Sequence, residues 1–190
     1  MTSIDSDSLL SEVDVSERLE PLGLANRLVV DELKPLLPGL IKAYLTLKDA
    51  PETRKTHLFG GRYENIYIDR SRLPELDKVL KVAVAAASTV AKIREPLQVG
   101  CWFNEMQPGQ ETTLHTHDDD DEVLSGVFYV TVPENSGDLL LVDGDEQIAI
   151  PPVESAFVFF SPRLPHAVGK NRSEVMRLSI GMNFGIPERD

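Results

Sequence analysis

The sequence predicts an α+β fold, with helices in the first half and a small barrel or jelly roll in the second. Three observations carry that expectation. Helical periodicity is confined to the residues before Pro96. Beyond it, about eight short apolar runs recur between Gly, Pro, Asn and Asp turn signals, the texture of a closed or double-layered antiparallel fold. Helices do not alternate with those later strands, which excludes a doubly wound sheet and puts the helices on one sheet face.

In chain order, residues 1–20 hold six acids and one Arg among serines and read as a loose acidic tail. Residues 31–49 read as a helix. Asp31 stands where a cap belongs, and Leu33, Leu36, Leu37, Leu40, Ile41, Tyr44 and Leu45 recur at three- and four-residue spacing. Pro35 suits its first turn, whereas Pro38 should kink or divide it. Residues 63–68 alternate weakly, as a short strand. Residues 72–94 are the strongest helix, with Pro74 near its start and a stripe from Leu73 through Leu76, Val79, Leu80, Ala83, Ala86, Ala87 and Val90 to Ile93. Strands follow at 97–104, 112–117, 124–132, 138–142, 147–150, 156–160, 166–168 and 175–184, separated by turns such as Asn135-Ser136-Gly137 and Asp143-Gly144-Asp145. The chain therefore divides into a flexible acidic tail (1–20), a helical part packed on the core (21–96) and a β core (97–190), in one domain overall.

Length and charge bound the function. A chain of 190 residues can bury a proper core. Its net charge of -12 disfavours nucleic acid and anionic membranes as partners. That charge is local: -5 lies in residues 1–20 and another -5 in the run Asp118-Asp119-Asp120-Asp121-Glu122. The run reads either as a solvated loop or as an acidic lip that attracts a cation. A single cysteine, Cys101, excludes a disulfide framework and a cysteine-rich zinc site and fits a reducing compartment. The N-terminus lacks the apolar run of a signal peptide, and no segment has the length of a membrane span. A cytoplasmic location is expected.

Three of the four histidines fall in the β half; His57 reads as a surface residue. His115 and His117 are two apart, so on a strand both imidazoles face one side and can share a metal. His166 is the candidate third ligand from another strand. Nitrogen ligands with open positions suit Fe(II), Zn(II) or similar ions. Arg177 and Ser179 share a strand face by the same alternation. An inward Arg must meet an anion: either a carboxylate ligand, whose geometry its planar fork matches, or one of the chain's own acids. No phosphate loop and no nucleophile elbow is present.

The order of motifs carries a resemblance. Trp102-Phe103-Asn104 is followed by Pro108-Gly109, Leu114-His115-Thr116-His117 and Leu124-Ser125-Gly126-Val127-Phe128-Tyr129-Val130. Phe159-Phe160-Ser161-Pro162-Arg163-Leu164-Pro165-His166 and Arg177-Leu178-Ser179-Ile180-Gly181-Met182-Asn183-Phe184 close the series. Over residues 97–184 the chain resembles the 2-oxoglutarate/Fe(II)-dependent oxygenases, in particular a bacterial branch with Trp-x-Asn, His-x-His-Pro and Ser-Gly-Val-Tyr-Tyr motifs. The resemblance implies a double-stranded β-helix (a cupin-like jelly roll) with the N-terminal helices on the outer face of its major sheet. It implies Fe(II) as cofactor and 2-oxoglutarate as cosubstrate, converted to succinate and CO2 while a substrate is hydroxylated. His166 would be the distal iron ligand, and Arg177, assisted by Ser179, would hold the far carboxylate of 2-oxoglutarate. His115 and His117 would complete the metal site; the wider superfamily's His-x-Asp makes Asp119 the alternative. Asn104 and Asn183 would line the pocket; Trp102 and Tyr129 read as core aromatics or, through their polar tips, as further pocket residues. Two features depart from the branch: Asp118 stands where it has Pro, and residues 117–125 are about two longer. The substrate would be a small molecule or a peptide, neutral or cationic given the acids at the lip. The competing expectation is a cupin-like metal or small-ligand binding protein without 2-oxoglutarate chemistry, in which Arg177 pairs with an internal carboxylate.

Overall fold

The computed structural model describes residues 14–116 and 121–187. Eleven strands are present among them: β1 (Glu20–Leu22), β2 (Ala25–Val29), β3 (Arg54–Phe59), β4 (Arg62–Tyr67), β5 (Gln98–Met106), β6 (Glu122–Thr131), β7 (Leu139–Asp143), β8 (Glu146–Ile150), β9 (Ala156–Phe160), β10 (His166–Val168) and β11 (Arg177–Gly185). Three α-helices accompany them: α1 (Val15–Arg18), α2 (Leu37–Leu47) and α3 (Pro74–Ala91). Eight strands form one antiparallel sheet in the order β1-β2-β9-β6-β11-β5-β4-β3, and β10-β7-β8 form a second. The two sheets pack through Tyr129, Val158 and Phe160 on one side and Leu139, Leu141 and Ile150 on the other. This is the expected α+β double-stranded β-helix.

The large sheet has two different faces because side chains alternate along each strand. Leu178, Ile180, Met182 and Phe184 of β11, Phe128 and Val130 of β6 and Phe157 and Phe159 of β9 point to the helices and form one core with them. Helix α3 supplies Leu76, Val79, Leu80, Ala83, Ala86 and Ala87 to that core, as its stripe predicts. Burying each such Leu or Val is worth about 1.5–3 kcal/mol. Pro74 stands in the first turn of α3, and Lys92 in the left-handed region ends it.

The expected helix over 31–49 is divided. Asp31–Leu36 is a 3-10 helix, and the α-helix begins at Leu37. The break leaves Pro35 inside the 3-10 helix and Pro38 in the first α-turn, where its missing N–H costs nothing.

Three expectations need correction. Residues 14–20 are not loose: Asp14 caps α1 by accepting from the N–H groups of Ser16 and Glu17, and Glu20 begins β1. Residues 1–13 lie outside the described residues. The segment 21–96 is not only helical, since it contributes most of β1 and all of β2, β3 and β4 to the large sheet. Those strands carry few periodic apolar residues, because β1 and β3 are edge strands with little burial. Finally, the strand expected over 112–117 reduces, in its described part, to a single bridge between His115 and His166.

Helix α2 is fastened to β5 by one carboxylate. The Tyr44 hydroxyl (2.9 Å) and Lys48 Nζ (2.7 Å) donate to Glu105 Oε2, and Gln107 Nε2 donates to Oε1 at 2.9 Å. Partial burial raises the Glu105 pKa, but these donors outweigh it and hold the carboxyl below its ordinary value. Burial beside Glu105 pushes the Tyr44 phenol up. A carboxyl with a depressed folded pKa stabilises the fold above the unfolded value, about 4.3, and that contribution is lost as pH falls through the folded value. Glu105→Gln should lose about 1–3 kcal/mol at pH 7. Its stability should also fall less steeply than wild type below about pH 4.3, as measured by urea denaturation across pH.

Candidate active site

The face of the large sheet turned away from the helices lines a cavity of about 490 Å³. Register explains its composition. On β11, Arg177, Ser179, Gly181 and Asn183 share this face; their neighbours on β5 include Asn104, Trp102 and Gly100, and on β6 Tyr129, Val127 and Ser125. All four expected pocket residues, Trp102, Asn104, Tyr129 and Asn183, line the cavity, as do Arg177, Ser179, His115 and His166.

Arg177 is fully buried, at 0% exposure. Its Nη1 donates to two backbone carbonyls of the turn before β7, Ser136 O (3.2 Å) and Gly137 O (2.5 Å). Gly137 has φ +95°, and a Cβ there would sit 2.0 Å from the Gly169 carbonyl oxygen, so only glycine allows this turn. Nε and Nη2 have no hydrogen-bond partner among the described residues, and neither has the buried Tyr129 hydroxyl. The guanidinium carbon lies 5.2 Å from the Tyr129 ring centroid. Burial lowers the Arg177 pKa, opposed by Tyr129 and Asp138, yet an arginine remains charged. Two orphaned N–H donors and an orphaned hydroxyl, buried in a cavity wall, are the complement of a planar carboxylate. Ser179, paired with Tyr129 across β11 and β6, stands beside them.

His115 and His166 face each other across their bridge, with ring centroids 4.3 Å apart. Each ring has its Nδ1 on the carbonyl two residues earlier, Thr113 O for His115 (2.9 Å) and Leu164 O for His166 (2.8 Å). A carbonyl accepts only, so Nδ1 of each ring carries a proton, the arrangement that suits Nε2 ligation of a metal. Phe160 and His166 pack edge-to-face, with centroids 4.8 Å apart. Two imidazoles oriented in this way fit an Fe(II) site. His117 and Asp119, the expected remaining ligand and its alternative, lie outside the described residues, as do Asp118 and Asp120. Among the described residues no group of three or more metal-ligating side chains occurs.

Around this centre, Trp102 lies flat against Gly181, where a Cβ would come within 2.5 Å of the indole. Asn183 donates to Glu122 Oε1 at 2.5 Å and accepts from the Ser125 hydroxyl at 3.1 Å. His57 is exposed, as expected, and also lines the cavity, as do Asn65 and Tyr67. Sequence reasoning also missed Glu64, which is buried and accepts from Thr113. A signal existed: Glu64 is in phase with Ile66 and Ile68, and an acid in the apolar phase of a strand needs a buried partner. Cys101 is half-buried, and burial pushes its thiol up, away from thiolate chemistry.

Residues 100–150, from β5 to the end of β8, match the family model described as "Putative 2OG-Fe(II) oxygenase". No curated protein matches the chain in sequence. Similar solved structures include a Burkholderia pseudomallei oxidoreductase of the 2OG-Fe(II) oxygenase family, at 13% identity and TM-score 0.65, covering 97% of this chain and 91% of that one. A Pseudomonas putida prolyl-4-hydroxylase is 18% identical with TM-score 0.61, covering 97% and 100%. A viral collagen prolyl hydroxylase from Paramecium Bursaria Chlorella virus-1, solved with 2OG, is 15% identical with TM-score 0.60, covering 87% and 97%. These likenesses establish the double-stranded β-helix. Taken with the matched segment, they agree with the family that the motifs resemble.

The chain's one tryptophan is a reporter for the cavity wall. Gly181→Ala should push the Trp102 indole off β11, shift its fluorescence and cost about 1–3 kcal/mol in chemical denaturation.

Proposed function

We propose that this chain is an Fe(II)- and 2-oxoglutarate-dependent oxygenase that hydroxylates a neutral or cationic small molecule or peptide, holding the far carboxylate of 2-oxoglutarate on Arg177. The observation that supports this most is the buried guanidinium whose Nε and Nη2 lack partners beside the unpartnered Tyr129 hydroxyl. Carboxylate oxygens can accept from those groups, with the Ser179 hydroxyl adjacent. Burial of a cation with part of its hydrogen-bonding capacity unmet is costly, which favours an anion at this place. The competing binding-protein reading expects an internal carboxylate on Arg177; its hydrogen bonds go instead to the carbonyls of Ser136 and Gly137.

His115, His117 and His166 would hold the iron, with Asp119 the alternative to one of the first two. Bound there, iron with 2-oxoglutarate and dioxygen supplies the oxidation of a C–H bond, with release of succinate and CO2. The protein's part is placement. Arg177 sets the cosubstrate's far end, the Thr113 and Leu164 carbonyls aim the imidazoles, and Phe160 and Tyr129 keep apolar walls around the centre. Among the described residues, the charged side chains that line the cavity, apart from Arg177 and the histidines, are Glu64 and Glu122. Those carboxylates favour a neutral or cationic substrate over an anionic one. Both substrate sizes occur on this fold. A Trichoplax adhaerens prolyl hydroxylase was solved with a hypoxia inducible factor peptide fragment, and the carbocyclase SnoK belongs to nogalamycin biosynthesis. Among the described residues no helix is long and apolar enough to cross a membrane; with one cysteine in the chain, we assign it to the cytoplasm.

Anaerobic titration of the Fe(II)-loaded protein with 2-oxoglutarate tests the assignment. Arg177→Met should weaken binding about 30-fold or more, the cost of removing one partner of a buried charge pair. The same substitution removes a costly buried charge but also the donor to the Ser136 and Gly137 carbonyls, so without ligand its melting temperature should stay close to that of wild type. Equal 2-oxoglutarate affinity in the two proteins would sink the carboxylate role of Arg177.

A further inference from the structure

The two facing histidines are oriented by the same device but supported differently. Leu164, whose carbonyl holds His166, sits in a backbone turn closed by its own N–H on Ser161 O at 3.1 Å. Thr113, whose carbonyl holds His115, has no such turn. Among the described residues its segment's backbone meets β10 through Thr112, bonded to Val168, and the His115–His166 pair. Thr113 and Leu114 thus stand opposite Ala167 alone, which leaves Thr113 out of the ladder. Glu64 fills that gap. Its Oε1 accepts from the Thr113 N–H and its Oε2 from the Thr113 hydroxyl, each at 3.2 Å. Arg62, a strand neighbour, donates from Nη2 to Glu111 O (3.0 Å) and from Nη1 to Glu105 O (3.1 Å), tying the start of the segment to β5. Nη2 also reaches Glu64 Oε1 at 3.5 Å. Glu64 is only 6% exposed, so this carboxylate is part of the interior.

We infer that Glu64 is a positioning residue for the metal site: its two-pronged grip on Thr113 aims the carbonyl that fixes the tautomer and direction of the His115 imidazole. This rests on His115 being a metal ligand, as proposed above. The chain of contacts runs from the Glu64 carboxylate to the Thr113 N–H and hydroxyl, then from the Thr113 carbonyl to His115 Nδ1. Without Glu64 the Thr113 N–H has no ladder partner to fall back on, and the His115 ring loses its fixed reference. Groups that orient a ligating imidazole typically change metal affinity by 10–100-fold when removed.

Anaerobic Co(II) titration of the metal-free protein, followed by the visible absorption of the bound ion, reads affinity and ligand geometry without turnover. Glu64→Ala should bind Co(II) about 10–100-fold more weakly and with an altered spectrum. Glu64→Gln, which keeps one oxygen for the Thr113 N–H, should recover most of both. A folded Glu64→Ala protein with wild-type affinity and spectrum overturns the inference. Should Glu64→Ala not fold, Thr113→Val, which removes only the hydroxyl prong, takes its place: a weaker and spectrally shifted site supports the inference, and a wild-type site overturns it. His115→Ala separates this inference from the reading beneath it. Loss of Co(II) binding there, with wild-type binding in the Glu64 variants, removes only the positioning role. Wild-type binding in His115→Ala removes the ligand assignment, and the inference with it.

Discussion

Strand β11 runs through the middle of the large sheet, between β5 and β6, and each of its side chains must go to one face or the other. The architecture depends on that constraint. Apolar residues in one phase, from Leu178 to Phe184, draw α2 and α3 onto the sheet. The opposite phase, Arg177, Ser179, Gly181 and Asn183, is left to line a cavity. A one-residue slip would bury the helix-facing set in the cavity and turn a guanidinium into the main core. The same register brings Tyr129 to Ser179 and Trp102 to Gly181, so the Arg177 end of the cavity and the wall beside it are set by strand pairing rather than by loops.

The cavity combines two kinds of unfinished chemistry. At Arg177 the protein supplies positive charge and leaves hydrogen-bonding capacity unused. At His115 and His166 it holds one ring nitrogen of each imidazole on its own carbonyls, which fixes the direction of both rings. The cavity thus sets a buried positive charge near two oriented imidazoles in a strongly acidic chain.

Much of this was legible in the sequence. The stripe of α3 and the apolar runs of β6, β9 and β11 report burial directly, since each element has one repeating environment. The pocket residues were legible through spacing: His115, His166, Arg177 and Ser179 carry chemistry that an ordinary core excludes. The turn Asn135-Ser136-Gly137 was also visible, though only as punctuation; its carbonyls prove to be the seat of Arg177. Edge strands β1 and β3 were not legible, because a strand with few buried side chains has no apolar period to show.

What the sequence determined by itself was therefore periodic or compositional: the α+β division, the faces of the long elements and the residue types that a metal and a carboxylate need. What only the tertiary structure decided was which polar groups meet across strands distant in sequence. Glu64 reaches Thr113 over 49 positions, and Arg177 reaches the Ser136 carbonyl over 41. Neither contact leaves a local pattern. Each arises because sheet register brings two backbones side by side, and a buried donor then takes whatever acceptor that register supplies.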